Sequence, residues 1–160
     1  MPTPAYITEL REFWGRRPLL LPGVSGVVLR GEPAQVLLGR RADTGRWSVP
    51  AGIVEPGEQP ADCLTRELWE EARLRVGVER LVSVVAEPEL SYPNGDRCQF
   101  ISMTFRCRPL SGEAAVGDGE LVAVGWFDLD GLPDDLSERG RQRVAEARSP
   151  DPACIFLTDE

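Results

Sequence analysis

The sequence predicts a single mixed α/β domain, and three observations predict it. Two β-rich runs open the chain, one strongly signalled helix occupies its middle, and further strands and a last helix follow. A length of 160 residues suits one domain with a core of its own. Hydrophobic residues at 42% and charged residues at 28% are ordinary globular proportions, which weighs against disorder.

Each element follows from local chemistry. Residues 6–14 (YITELREFW) carry Ile7, Leu10 and Trp14 at helical spacing, with Tyr6 and Phe13 beside them. They predict a short amphipathic helix within residues 5–15 that packs on the domain, with a homodimer contact as the alternative use. Residues 23–29 (GVSGVVL) and 35–38 (QVLL) are β-rich runs parted by Gly-Glu-Pro, and they read as a hairpin. Residues 47–49 are a short strand candidate, and residues 52–58 (GIVEPGE) form a loop punctuated by Pro56 and Gly57.

The central helix has clear start signals. Pro60 suits the first helical position, and Asp62 sits at the positive end of the helix dipole. Leu64, Leu68 and Ala72 form a buried stripe, and Arg75 and Gly77 supply stop signals. Residues 81–86 and 100–107 read as long strands joined through Tyr92-Pro93-Asn94-Gly95-Asp96, with Asn-Gly as the turn. Residues 122–127 are a further strand, and residues 136–147 a last, highly charged helix. In the tail, residues 151–160, Ile155-Phe156-Leu157 is apolar enough to dock. No repeat, linker or low-complexity stretch divides residues 1–160, so one domain is expected.

Charge and composition narrow the function. A net charge of −8 and a pI near 4.7 weigh against nucleic-acid binding, which usually shows a basic face. All 18 basic residues are Arg, and there is no His. A general base near neutral pH is therefore a carboxylate, a thiol or a metal-bound hydroxide. Cys63, Cys98, Cys107 and Cys154 contain no C-x-x-C pair and read as reduced thiols, as in a cytoplasmic protein. Glu9 and Glu12 interrupt any signal-peptide pattern, and the longest apolar stretch, residues 18–29, is broken by Pro22, Gly23 and Gly26. It is also too short to span a bilayer, so no membrane association is expected.

The chemistry concentrates in residues 52–74. Glu67, Glu70 and Glu71 stand at i, i+3 and i+4, one carboxylate face opposite the leucine stripe. Only Arg66 and Arg73 offer local relief from the repulsion. A hard divalent cation such as Mg²⁺, which prefers oxygen ligands and pairs carboxylates with substrate phosphates, resolves it. Alone, such a spacing could equally be a solvated acidic face.

The surrounding residues carry a resemblance. GIVEPGEQPADCLTRELWEEARL resembles the Nudix box, G-x5-E-x7-R-E-U-x-E-E-x-G-U with U bulky and aliphatic. Gly52, Glu58, Arg66, Glu67, Leu68, Glu70, Glu71 and Leu74 fill every defined place but one; Arg73 stands where the family has Gly. That Gly helps end the helix in a left-handed conformation, so Arg73 is expected to move the end toward Gly77.

The resemblance implies a Nudix-type α/β/α sandwich with a central mixed β-sheet. It implies metal ligation by Glu67, Glu70 and Glu71 and by a backbone carbonyl near Ala51–Gly52. It gives Arg66 and Glu58 the role of orienting those acids. Glu120, in a loop ahead of a late strand, is the candidate for a further Glu, and the general base is open between Glu71 and Glu120. Mg²⁺ is the implied cofactor, with Mn²⁺ as a substitute. The implied reaction is hydrolysis of a phosphoanhydride bond in a nucleoside diphosphate linked to another moiety: a nucleotide sugar, an ADP-ribose-like compound, a dinucleoside polyphosphate or a modified triphosphate.

For substrate contacts, Tyr92 resembles the Tyr of dinucleoside-polyphosphate hydrolases, and Pro88 lies near the Pro that marks ADP-ribose hydrolases. Trp47, Tyr92, Arg97 and Phe100 could stack a base or hold phosphate. Trp47 and Phe100 are equally plausible core. The rival reading is a Nudix-fold module that binds a nucleotide without cleaving it, which a broken box would favour; every acid of this box is present.

Overall fold

The two runs that read as a hairpin become the centre of the sheet. Leu19–Arg30 (β1) and Gln35–Arg41 (β2) pair antiparallel at Leu29↔Val36 and Arg30↔Gln35. Val27, Val28, Val36, Leu37 and Leu38 are fully buried, so these strands are covered on both faces. That is why they read as continuous apolar runs rather than as an alternation. The computed structural model describes residues 4–92 and 94–158. The remaining elements are α1 (Ala5–Trp14), β3 (Trp47–Ser48), β4 (Ala51–Ile53), α2 (Pro60–Ala72), β5 (Arg75–Ala86), β6 (Leu90–Ser91), β7 (Arg97–Ser111), β8 (Leu121–Asp128), α3 (Glu138–Arg148) and β9 (Ile155–Phe156).

The described strands join in the order β3-β2-β1-β7-β5-β9, with β4 on β1, β6 on β7 and β8 on β2. The sheet is mixed: β1 runs parallel to β7 from Leu19↔Cys98 to Val28↔Cys107, and β9 runs parallel to β5, while the other pairs are antiparallel. Strand alternation divides the core. Val24, Val28 and Leu37 face Leu64, Leu68 and Ala72 of α2. Val27, Val36 and Leu38 face Val144 and Ala147 of α3. One helix on each face makes the α/β/α sandwich that the resemblance implied. Among the described residues no helix is long and apolar enough to cross a membrane.

Sheet partners lengthened several expected elements. The strand expected over residues 81–86 begins at Arg75, and that expected over 100–107 runs from Arg97 to Ser111, because each ladder supplies the other's hydrogen bonds. Asn94 and Gly95 make the turn before β7, with Gly95 N–H donating to Tyr92 O; Pro93 lies outside the described residues. The tail docks as β9 on Ser83 and Val84. In α1 the helix forms, but its expected apolar face does not pack as a unit. Ile7 is buried, whereas Leu10, Phe13 and Trp14 are exposed, Phe13 by 90%.

The expectation for Arg73 is overturned. α2 stops at Ala72, and Arg73 itself adopts the left-handed conformation (φ 54°, ψ 25°), its N–H donating to Leu68 O and Trp69 O. Arg75 and Gly77 lie in β5 instead of ending the helix. Turning the chain at Arg73 lets Leu74 and Val76 enter the core. Burying a leucine stabilises by roughly 1.5–3 kcal/mol, which offsets the roughly 1–2 kcal/mol that a left-handed residue with a Cβ costs.

Candidate active site

Glu58, just ahead of α2, and Arg66, two turns into it, form a fork-to-fork pair. Arg66 Nε donates to Glu58 Oε1 at 2.8 Å and Nη2 to Oε2 at 3.1 Å. The remaining arm, Nη1, reaches Glu67 Oε1 at 2.9 Å and Glu70 Oε2 at 3.2 Å. Arg66 is thus a clamp on which three carboxylates hang. The bond to Arg66 holds the Glu58 carboxyl below its ordinary range.

The three acids of α2 do not share one environment. Glu67 and Glu71 are buried, at 1% and 3% exposure, while the Glu70 side chain is 44% exposed. Burial, opposed in part by Arg66, raises the Glu67 carboxyl to about 7. Burial and the neighbouring Glu67 and Asp118 raise Glu71 to about 7, with Arg41 opposing. Helical periodicity showed that these acids are neighbours; it could not show that two of them are covered.

What covers Glu67 is Gly52. β4 lies against β1 at Gly23↔Ile53, Val24↔Gly52 and Ser25↔Ala51, and Glu67 lies directly over the bare Cα of Gly52. A Cβ there would come within 2.3 Å of the Glu67 side chain. The glycine of the box is needed for close approach, since its φ is not in the left-handed region.

Glu71 is covered by the segment after β7. Ala115 N–H donates to Ala72 O at 3.0 Å and Gly117 N–H to Glu71 O at 2.9 Å, so this loop satisfies carbonyls at the end of α2. The loop then brings Asp118 and Glu120 around the same helix end. Glu120 is fixed through its backbone, its N–H on Asp118 Oδ1 and its carbonyl accepting from Ala42.

These parts border one end of a cavity of about 610 Å³, where Arg41, Ala51, Gly52 and Glu120 line the wall. Arg41 is held by both oxygens of Asp43, at 2.8 and 2.6 Å. Of the residues expected to touch substrate, Tyr92 and Phe100 line this cavity, as does Pro88. Trp47 does not; it packs edge-on against Phe127, ring centroids 4.7 Å apart. Arg97 does not either, being paired with Glu89. Across β1 from β4, where Ser102 pairs with the same Gly23 that pairs with Ile53, the wall also holds Glu87, Arg139 and Arg143, none of which the sequence singles out as site residues. The i, i+4 spacing of Arg139 and Arg143 on α3 was the available signal.

Among the described residues no three acidic or thiol side chains already converge as the ligands of an ion would. The donor set nevertheless fits a hard divalent cation. Glu67 and Glu71 are oxygen donors whose carboxyls are raised to about 7 by burial first, then by Glu70 at Glu67 and by Glu67 and Asp118 at Glu71, a conflict a cation relieves. Glu70 stands beside them within reach of Arg66.

The chain is similar to known proteins in sequence and in fold. Residues 20–147 match the NUDIX domain family. A MutT-like protein of Streptomyces ambofaciens is 39% identical over 122 residues, covering 76% of this chain and 70% of that protein. The NAD-capped RNA hydrolase NudC of Chromobacterium violaceum is 30% identical over 116 residues, 72% of this chain but only 41% of that protein. The chain therefore spans about two fifths of that relative's length. Among solved structures, an ADP-ribose pyrophosphatase from Streptococcus suis superposes with a TM-score of 0.66 at 25% identity, covering 84% of this chain and 96% of that one.

Proposed function

The chain belongs to the Nudix family of pyrophosphohydrolases, and from that premise we propose that it is a Mg²⁺-dependent hydrolase of a nucleoside diphosphate linked to a second moiety. The observation that carries this reading is the buried pair Glu67 and Glu71, with Glu67 directly behind Gly52 at the edge of a cavity large enough for a nucleotide. Relatives named for ADP-ribose and for NAD caps support the diphosphate class.

In this reading Glu67, Glu70 and Glu71, with the backbone carbonyl near Ala51–Gly52, would hold Mg²⁺, or Mn²⁺ in its place. The bound cation would neutralise diphosphate charge and acidify a water. Arg66 positions Glu67 and Glu70 through Nη1, and Glu58 fixes the guanidinium that does so. Arg41 faces the diphosphate from the cavity wall, and Tyr92 and Phe100 flank the organic part. Glu71 or Glu120 takes the proton of the attacking water, while hydroxide bonds to phosphorus and a nucleoside phosphate leaves.

The test is a panel of nucleotide sugars, ADP-ribose, dinucleoside polyphosphates and modified triphosphates, with products resolved by chromatography while Mg²⁺ is titrated. Metal-dependent release of a nucleoside phosphate, abolished by EDTA, is expected. Turnover in excess EDTA would overturn the metal assignment. Tight nucleotide binding with no turnover on any substrate would make the chain a binding module.

A further inference from the structure

The part of the cavity wall that lies across β1 from Gly52 is built around one shared carboxylate. Glu87 Oε1 accepts from Arg139 Nε at 2.9 Å and from Arg143 Nη2 at 2.8 Å, and the same Nη2 reaches Ser102 Oγ at 2.9 Å. Arg139 Nη1 continues to Glu146 at 3.4 Å, and Glu146 also accepts from Ser83. Two guanidinium groups and two carboxylates therefore form a neutral, cross-braced set across β5, β7 and α3. Its hydrogen bonding is incomplete: Arg139 Nη2 and Arg143 Nε are buried without an acceptor. Among the described residues Arg143 Nη1 has no acceptor either, and the Arg143 side chain, 15% exposed, lines the cavity.

Arg139 Nη2 and Arg143 Nε are closed off from the cavity, so Arg143 Nη1 is the arm that a group entering it can complete. The set is balanced in charge, so it does not call for an anion. The walls beside it, Pro88, Leu21 and Phe100, are apolar and suit a flat ring. Arginine is donor-only, and it distinguishes a ring edge that offers acceptors from one that carries an amino group.

We propose that Arg143, braced by Glu87 and Ser102, is a specificity residue that selects a carbonyl-bearing nucleobase, of the guanine or uracil type, over its amino-bearing counterpart. The proposal rests on the hydrolase reading above only for placing the diphosphate beside Gly52; the contact between Arg143 and a base is independent of the chemistry of cleavage. Guanine offers a carbonyl beside a ring nitrogen where adenine places an amino group, and uracil offers a carbonyl where cytosine does the same. Against Arg143, the amino-bearing member leaves a donor facing a donor.

The experiment holds the sugar constant and varies the base: kcat/KM for the guanosine, uridine, adenosine and cytidine diphosphoglucoses, on the wild type and on Arg143→Met and Arg143→Lys. In the wild type each carbonyl-bearing substrate is expected to exceed its amino-bearing counterpart by at least about tenfold. Arg143→Met is expected to bring each ratio within about twofold. The Lys variant, which keeps the charge but not the planar fork, serves if the Met variant does not fold. Equal use of all four bases by the wild type, or a preference that survives in a folded Arg143 variant, overturns the proposal while leaving the hydrolase reading intact. A tenfold gain for uridine diphosphoglucuronate over the glucose compound, lost in the variants, also overturns it, in favour of an anion site. If none of the four is hydrolysed, calorimetric binding of GMP, UMP, AMP and CMP decides, with the same order expected and equal or undetectable binding fatal.

Discussion

The side chain of Glu67 lies where a Cβ of residue 52 would be, at 2.3 Å from its ideal position. Glu67 and Gly52 thus act as one unit: the buried carboxylate exists only because the strand below it has no side chain. Gly52→Ala is expected to displace Glu67 and to destabilise the fold by roughly 1–3 kcal/mol, the usual cost of overpacking. Activity should fall further than stability, because Glu67 also loses its bond to Arg66. Thermal denaturation together with kcat on the folded fraction checks this; an active, wild-type-stable variant would contradict the geometry.

Glu71→Gln is expected to lower kcat at least about a hundredfold, beyond the 10–100-fold typical of residues that only orient a ligand. It should also alter the pH dependence of stability in metal-free buffer. The folded carboxyls of Glu67 and Glu71 sit near 7, above the unfolded value of 4.5, so the folded state binds more protons between the two. Their protonation therefore favours folding fully below about pH 4.5, and that contribution is lost as the pH rises to 7. Melting temperature, measured in EDTA, should fall over that interval in the wild type and fall less in Glu71→Gln. A pH-independent difference between the two would refute the assignment.

Arg73→Gly tests the helix end. Because Arg73 is left-handed, glycine relieves strain there, and the variant is expected to gain up to about 1 kcal/mol. Arg73 points toward the Trp69 ring, 5.9 Å away, on the exposed side of α2, so KM should stay within about twofold. Calorimetry and steady-state kinetics on this one variant suffice. A loss of stability would mean the helix continues through residue 73 in solution.

Gly117→Ala addresses the loop that carries Asp118 and Glu120. A Cβ at Gly117 would fall 1.7 Å from Glu70 O, an impossible contact with backbone, so the loop must lift off the end of α2. The expected result is loss of the 2.9 Å bond from Gly117 to Glu71, faster amide exchange at Ala115 and Gly117, and a sharp fall in kcat with α2 intact by circular dichroism. Unchanged exchange and activity would show that the loop has no part in the site.

Local chemistry was enough to determine much of this protein. The spacing of Leu64, Leu68 and Ala72 against Glu67, Glu70 and Glu71 set the register of α2, and Glu58 eight residues before Arg66 set the clamp. Both lie within about three helical turns, where sequence distance and spatial distance agree. Tertiary structure decided the rest. Arg73 turns left-handed because Leu74 must enter a core assembled from β5 and β7. Glu87, Ser102 and Arg143 meet only because β5, β7 and α3 pack together, and Trp47 is drawn to Phe127 rather than to the cavity. Such contacts join residues 41 to 80 positions apart, and no periodicity encodes which of many apolar or charged partners the closed sheet will bring together.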